Sequence, residues 1–232
     1  MKGCLTALGI VAGLVLVGIV SCSIAYPTIH VRYRLTVEVN VGDQIKTGSG
    51  VIGVDYPIYP DSFVSLDGPG NHSDITGYAI TVDLGEKGLL LLTLAGAERT
   101  PDQRRARTRC PMDDEIGCLP IAAYGIPNPN VGGYFSRKKA ALDELFRHSG
   151  PRDVPFADLP RLVWFPDFND PKSWFVSVSP YDLERKLGPG VKLSRVTLEL
   201  TDSAVTPMPK IWPEWLKAIR SATGILWWHE PG

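Results

Sequence analysis

The sequence predicts an α+β fold, mainly antiparallel β-sheet with a few packed helices, preceded by an N-terminal transmembrane or signal helix. Three observations predict it. From Leu5 to Val20 every residue is apolar, glycine or Thr6, the signature of a segment that enters a membrane. Residues 30–41, 78–83 and 192–200 alternate apolar with polar side chains, the period of a strand with one buried face. Residues 136–147 and 212–222 carry helical rather than strand periodicity. The chain has 232 residues, 44% hydrophobic and 21% charged. The remainder behind the apolar segment, about 200 residues, is long enough to bury one sizeable core without metal or many disulfides. The expected organisation is a segment over 1–25 and a single extracytoplasmic domain over 26–232.

The first segment has three competing fates. Continued to Ala25, ahead of Tyr26-Pro27, a helix of roughly 20 residues reaches about 30 Å, a bilayer core, and serves as an uncleaved anchor. Ile19-Val20-Ser21-Cys22 resembles the bacterial lipobox, which makes Cys22 a lipidation site. Ser23-Ile24-Ala25 suits ordinary signal cleavage. Lys2 lies on one side of the segment and Arg32 and Arg34 on the other, so positive charge does not settle the orientation.

In the body, His30 to Val41 reads as a strand, Gly42-Asp43 as a turn and Ile45 to Val54 as its hairpin partner. A second hairpin follows the Pro- and Gly-rich stretch 57–70, from Tyr78–Asp83 through Gly85-Glu86-Lys87-Gly88 to Leu89–Leu94. The latter is a continuous apolar run suited to burial on both faces. Residues 100–133, rich in proline, glycine and charge, predict a long irregular excursion. Ser136 starts a helix to Arg147 with Ala141, Leu142, Leu145 and Phe146 on its apolar side. Leu162–Phe165 and Trp174–Val178 read as strands. A short helix over Tyr181–Leu187 is stopped by Gly188-Pro189-Gly190, Lys192–Leu200 is a further strand, and Trp212–Ala222 a final helix after Pro207, Pro209 and Pro213.

Charge and cysteines narrow the function classes. A formal net charge of −1 supplies no field that favours nucleic acid. The basic run at 103–109 is followed at once by Asp113, Asp114 and Glu115, the pattern of a solvated loop. Cys110 and Cys118 are the pair outside the apolar segment; a disulfide between them suits an oxidising compartment, with two free thiols as the alternative. The spacing matches no common zinc pattern, and neither a metal nor a cofactor is expected.

Tyr33-Arg34-Leu35-Thr36-Val37-Glu38-Val39 followed by Thr47-Gly48-Ser49-Gly50-Val51-Ile52 resembles the opening of an uncharacterised family of bacterial envelope proteins with an N-terminal membrane segment. Gly150–Asp153, Pro160–Val163, Asn169–Lys172, Gly188–Val191 and the stretch from Thr201-Asp202 to Val205-Thr206 are similar to its later blocks. The family has no assigned activity. The resemblance therefore implies a bacterial envelope setting and no catalytic residue.

Candidate chemistry is sparse. In the polar loop Gly68–Asp74, His72 offers a base and Asp74 its orienter, against a plain turn in which Asn71, Ser73 and Asp74 satisfy backbone groups. Gly48-Ser49-Gly50 superficially resembles a protease segment but lacks the histidine that would follow it; close strand packing explains the glycines. Asp167, Asn169 and Asp170 supply oxygens for a hard cation without the EF-hand spacing, so a turn is the simpler reading. The tryptophans at 164, 174, 212, 215, 227 and 228 suit a groove or a packed core. The sequence thus predicts a membrane-attached module that binds an envelope protein or a small ligand and no nucleic acid. A hydrolase using His72 and Asp74 is the alternative.

Overall fold

The computed structural model describes residues 27–58, 73–94, 115–127, 136–170 and 176–213, with 11–13, 15 and 215. Alternation builds its largest sheet. Strand β1 (Thr28–Val41) turns at Gly42-Asp43 into β2 (Gln44–Pro57), and the two pair antiparallel over their whole lengths, Val41 opposite Gln44 and Thr28 opposite Pro57. The short β3 (Asp74–Thr76) pairs with β2 at Gly53–Asp55 only. On the other side of β1 runs β9 (Val191–Leu200), edged by β6 (Arg152–Asp153), which completes a five-stranded sheet of order β3-β2-β1-β9-β6. Between them, β4 (Ile80–Asp83), β5 (Leu89–Leu92), β7 (Leu162–Phe165) and β8 (Val176–Val178) form a four-stranded antiparallel sheet in that order. The fold is α+β, as the periodicities require.

The two sheets share one core. Val31, Tyr33, Leu35 and Val37 of β1 and Ile52 and Val54 of β2 join Ile80, Val82, Leu90, Leu92 and Leu162 in a single buried cluster. The sheets come into close contact at Gly48, where an added Cβ would lie 2.2 Å from the Thr81 carbonyl oxygen. Only glycine leaves room for that backbone. Leu89, Leu91, Val163 and Phe165 point to the far side of the second sheet and form another cluster with Tyr78, Phe168 and Trp212. That explains the unbroken leucines of β5: a strand buried on both faces has no polar position in its pattern.

Helices α1 (Glu115–Ala123), α2 (Ser136–Leu145) and α3 (Leu183–Leu187) cover the sheets. The expected irregular excursion over 100–133 is corrected by α1. Gly117 and Pro120 are breakers in isolation, yet Leu119, Ile121 and Ala122 are buried in the main core, and the Tyr56 hydroxyl donates to the Gly117 carbonyl. On α2, Ala141, Leu142 and Leu145 are buried as expected, but Phe146, one residue past the helix end at Leu145, is 54% exposed. Helix α3 begins at Leu183, two residues later than expected, and Gly188 closes it by donating to the Glu184 carbonyl. The Glu184 carboxylate accepts the Gly190 N–H at 3.0 Å and faces Lys192 at 3.5 Å; these two contacts, in that order, hold its pKa below the usual value.

After β9 the chain forms a strap across the solvent-facing side of the first sheet. Arg32 donates to the Asp202 and Ser203 carbonyls at 3.0 and 3.3 Å, and Arg34 to the Ser203 hydroxyl at 3.3 Å. Val205 lies over Gly53. The strap reaches the edge of β2 at Thr206, whose N–H donates to the Val51 carbonyl at 3.1 Å while its hydroxyl accepts the Val51 N–H at 2.8 Å. Replacing Thr206 by valine keeps the shape and removes that acceptor, so it is expected to cost about 1–2 kcal/mol. The check is a lower urea midpoint at an unchanged slope, with Thr206→Ser close to the parent.

The final helix expected over Trp212–Ala222 is corrected at its start. Trp212 lies in a bend and its N–H donates to the Pro209 carbonyl, whereas Trp215 is helical; residues 216–222 lie outside the described residues. The closely spaced Pro207, Pro209 and Pro213 keep the chain extended here, because proline lacks the N–H a helix requires.

Candidate functional site

A half-open cleft of about 230 Å³ lies where three pieces of chain meet. Strand β2 contributes Thr47, Ser49 and Gly50; the run into and along β4 contributes Tyr78, Ala79, Ile80, Thr81 and Asp83; the strap contributes Thr206, Pro207, Pro209 and Ile211. Each wall follows from local sequence. The glycines of β2 let β4 come close, and the prolines carry the strap away from the sheet edge, leaving space between.

The polar groups of the cleft are held in place. The Ser49 hydroxyl is 3.1 Å from that of Thr36, Thr206 accepts the Val51 N–H, and the Thr81 hydroxyl accepts the Trp212 indole N–H at 2.9 Å. Asp83 accepts the Gly85 N–H at 2.8 Å through one oxygen. Ile80, Ile211 and the two prolines supply apolar surface. Fixed hydroxyls, one carboxylate and apolar walls suit the holding of a ligand rather than the activation of a nucleophile.

The edge of β2 forms part of the same place. In an antiparallel strand the backbone groups of alternate residues point to opposite edges. Val51 directs both its N–H and its carbonyl to the strap, so Ile45, Thr47 and Ser49 direct theirs the same way, while Gln44, Lys46 and Gly48 face β1. Among the described residues, β3 pairs with β2 only at Gly53–Asp55 and the strap only at Val51. Among those residues, none bonds the edge along Ile45, Thr47 and Ser49.

The residues singled out from sequence lie elsewhere. Asp74 is the exposed first residue of β3, opposite Asp55, and its proposed partner His72 lies outside the described residues. Cys22 and Cys110 also lie outside them; the backbone of Cys118 is in α1 rather than in the loop expected around it. Asp167 accepts the Asn169 N–H at 2.9 Å, the turn that the sequence suggests, and no group of three metal-ligating side chains occurs among the described residues. Two histidine–carboxylate contacts, His30–Asp55 at 2.7 Å and His148–Glu144 at 3.6 Å, do not line the cleft.

The aromatic residues divide. Trp212 and Phe165 are core, Trp215 packs on Phe165 and Phe168, and the Trp164 indole donates to the Lys87 carbonyl. Trp174, Trp227 and Trp228 lie outside the described residues. Sequence reasoning missed the cleft because its walls come from three distant segments, although the glycines at 48 and 50 and the prolines at 207 and 209 were its visible signals.

Fold and site together define an α+β protein of two antiparallel sheets over a shared core, with a strap that leaves one sheet edge open. Comparison with protein families, with curated proteins and with solved structures returns no match to the chain. The resemblance to envelope proteins therefore rests on its sequence blocks alone. Among the described residues no helix is long and apolar enough to cross a membrane; most of the apolar run from Leu5 to Val20 lies outside them.

Proposed function

We propose that the chain is a membrane-attached module of a bacterial envelope, whose domain stands outside the cytoplasm and holds a protein or small ligand in the cleft between β2, β4 and the strap. The observation that carries the binding role is the cleft itself, where oriented hydroxyls stand beside the exposed apolar side chain of Ile211. Pockets of this composition, apolar with a few placed polar groups, are the usual form of a binding site. The membrane setting is supported by the apolar run from Leu5 to Val20, which ends shortly before β1 begins at Thr28. A segment so placed attaches the domain through its central hairpin when it is kept as an anchor or ends at a lipidated Cys22.

Intact mass and terminal-peptide mapping of the native protein extracted from membranes, before and after reduction, test this reading. A start at Met1 is expected for an anchor, an acylated Cys22 for a lipoprotein and Tyr26 for release. An intact segment on a cytoplasmic domain with Cys110 and Cys118 fully reduced would overturn the envelope role.

A further inference from the structure

We infer that the cleft takes an extended peptide segment of another protein, which adds to the first sheet as a strand alongside Ile45, Thr47 and Ser49. The inference rests on the binding role proposed for the cleft and names its class of ligand.

An exposed sheet edge is costly to leave open, because its backbone donors and acceptors are an invitation to any extended chain. This protein closes one half of the β2 edge from within. Strand β3 covers Gly53–Asp55, and Thr206 covers Val51 with one backbone and one side-chain bond. The next residue of the strap to face β2 would be Met208, but it packs against the Trp212 cluster instead of bonding Ser49, and the chain departs along Pro209 toward Trp212. The pairing therefore stops one step before Ser49, and the space it vacates is the cleft.

Side chains at the open edge fit an incoming strand. Ile45 and Ile211 are 64% and 47% exposed, two of the few large apolar side chains so placed among the described residues. A strand laid in register with Thr206 would run past Ser49, Thr47 and Ile45, its backbone meeting the N–H and carbonyl groups they direct outward. Alternate side chains of that strand would point into the cleft, toward Ile80 and Ile211, and out to solvent. Peptides recognised by strand addition gain affinity from these main-chain bonds and selectivity from the pockets under alternate side chains. The occupant expected is a flexible segment with apolar side chains at alternate positions and no proline in the paired stretch.

The test uses the full-length protein in detergent micelles and a displayed library of random linear peptides, panned on the parent and counter-selected on Ile211→Asp. Hydrogen exchange is then read residue by residue with the best synthetic peptide. The expected result is a period-two pattern: the Ile45, Thr47 and Ser49 amides slow at least about tenfold, while Lys46 and Gly48, already bonded to β1, do not change. Ser49→Pro, which removes an outward N–H and the hydroxyl contact to Thr36, is expected to weaken the peptide at least about tenfold without loss of the β1–β2 backbone pairing, whereas Ser49→Ala, which removes the hydroxyl contact alone, is expected to bind it like the parent. No peptide tighter than about 100 μM would overturn the inference. So would protection that grows with protein concentration alone, alongside a dimer in ultracentrifugation, since a second copy would then fill the edge. Binding that is lost in Ile211→Asp but leaves the three amides unprotected would overturn strand addition and keep the cleft as a binding site.

Discussion

Replacing Trp212 by alanine is expected to destabilise the domain by about 3–5 kcal/mol, the usual cost of truncating a buried tryptophan. Its side chain is 1% exposed and caps the far face of the second sheet with Leu89, Leu91 and Phe165. The ring meets Tyr78 edge to face at 5.9 Å, and its indole N–H donates to the Thr81 hydroxyl in the wall of the cleft. Alanine would leave a cavity and free the strap to move away from β4. Because small domains have only about 5–15 kcal/mol in hand, the loss should be plain in a denaturant titration. Trp212→Phe, which keeps most of the packing and loses the indole bond, should cost about 1–2 kcal/mol. A loss below about 1 kcal/mol for alanine would mean that the strap is not packed on the sheet in solution.

The second large effect is expected at Gly88, where alanine should cost about 3 kcal/mol or more. Gly88 follows the 3-10 turn Gly85–Lys87 between β4 and β5, with φ 86° and ψ −152°, a region that side chains avoid. Space is lacking as well. An added Cβ would lie 2.0 Å from the Phe165 carbonyl oxygen and 2.7 Å from that of Pro166, so β5 and β7 would have to part where Leu89 pairs with Phe165. Thermal melting and near-ultraviolet circular dichroism check this. An unchanged melting temperature would show that the turn and the adjoining strand ends are looser than the packing implies.

Much of the fold was legible in the sequence. Period-two alternation marked β1, β4 and β9, and Gly42-Asp43 marked the hairpin turn that brings β2 back as the partner of β1, because a half-buried strand must alternate and a two-residue turn needs special backbone. The leucine run of β5 told of burial on both faces. Where local signals and tertiary packing disagreed, packing won. Gly117 and Pro120 read as loop, yet burial of Leu119 and Ile121 holds α1; the spacing after Trp212 reads as helix, yet Trp212 sits in a bend because its ring is drawn into the core.

The sites show the same division. Chemical side chains near one another in sequence, such as Asp167 and Asn169, proved to be a turn, as their residue types suggest. The cleft was not legible, since Ser49, Ile80 and Ile211 meet only after the sheets pack and the strap crosses them.

By itself the sequence determined the strand periods, the main hairpin and the α+β class, because these depend on each residue's side chain and near neighbours. Only the tertiary structure decided the order of the strands, the strap over β1 and β2 and the open edge beside it. Those depend on contacts between segments far apart in the chain, such as Thr206 with Val51 and Gly48 with Thr81, and no local pattern encodes which distant backbone will arrive.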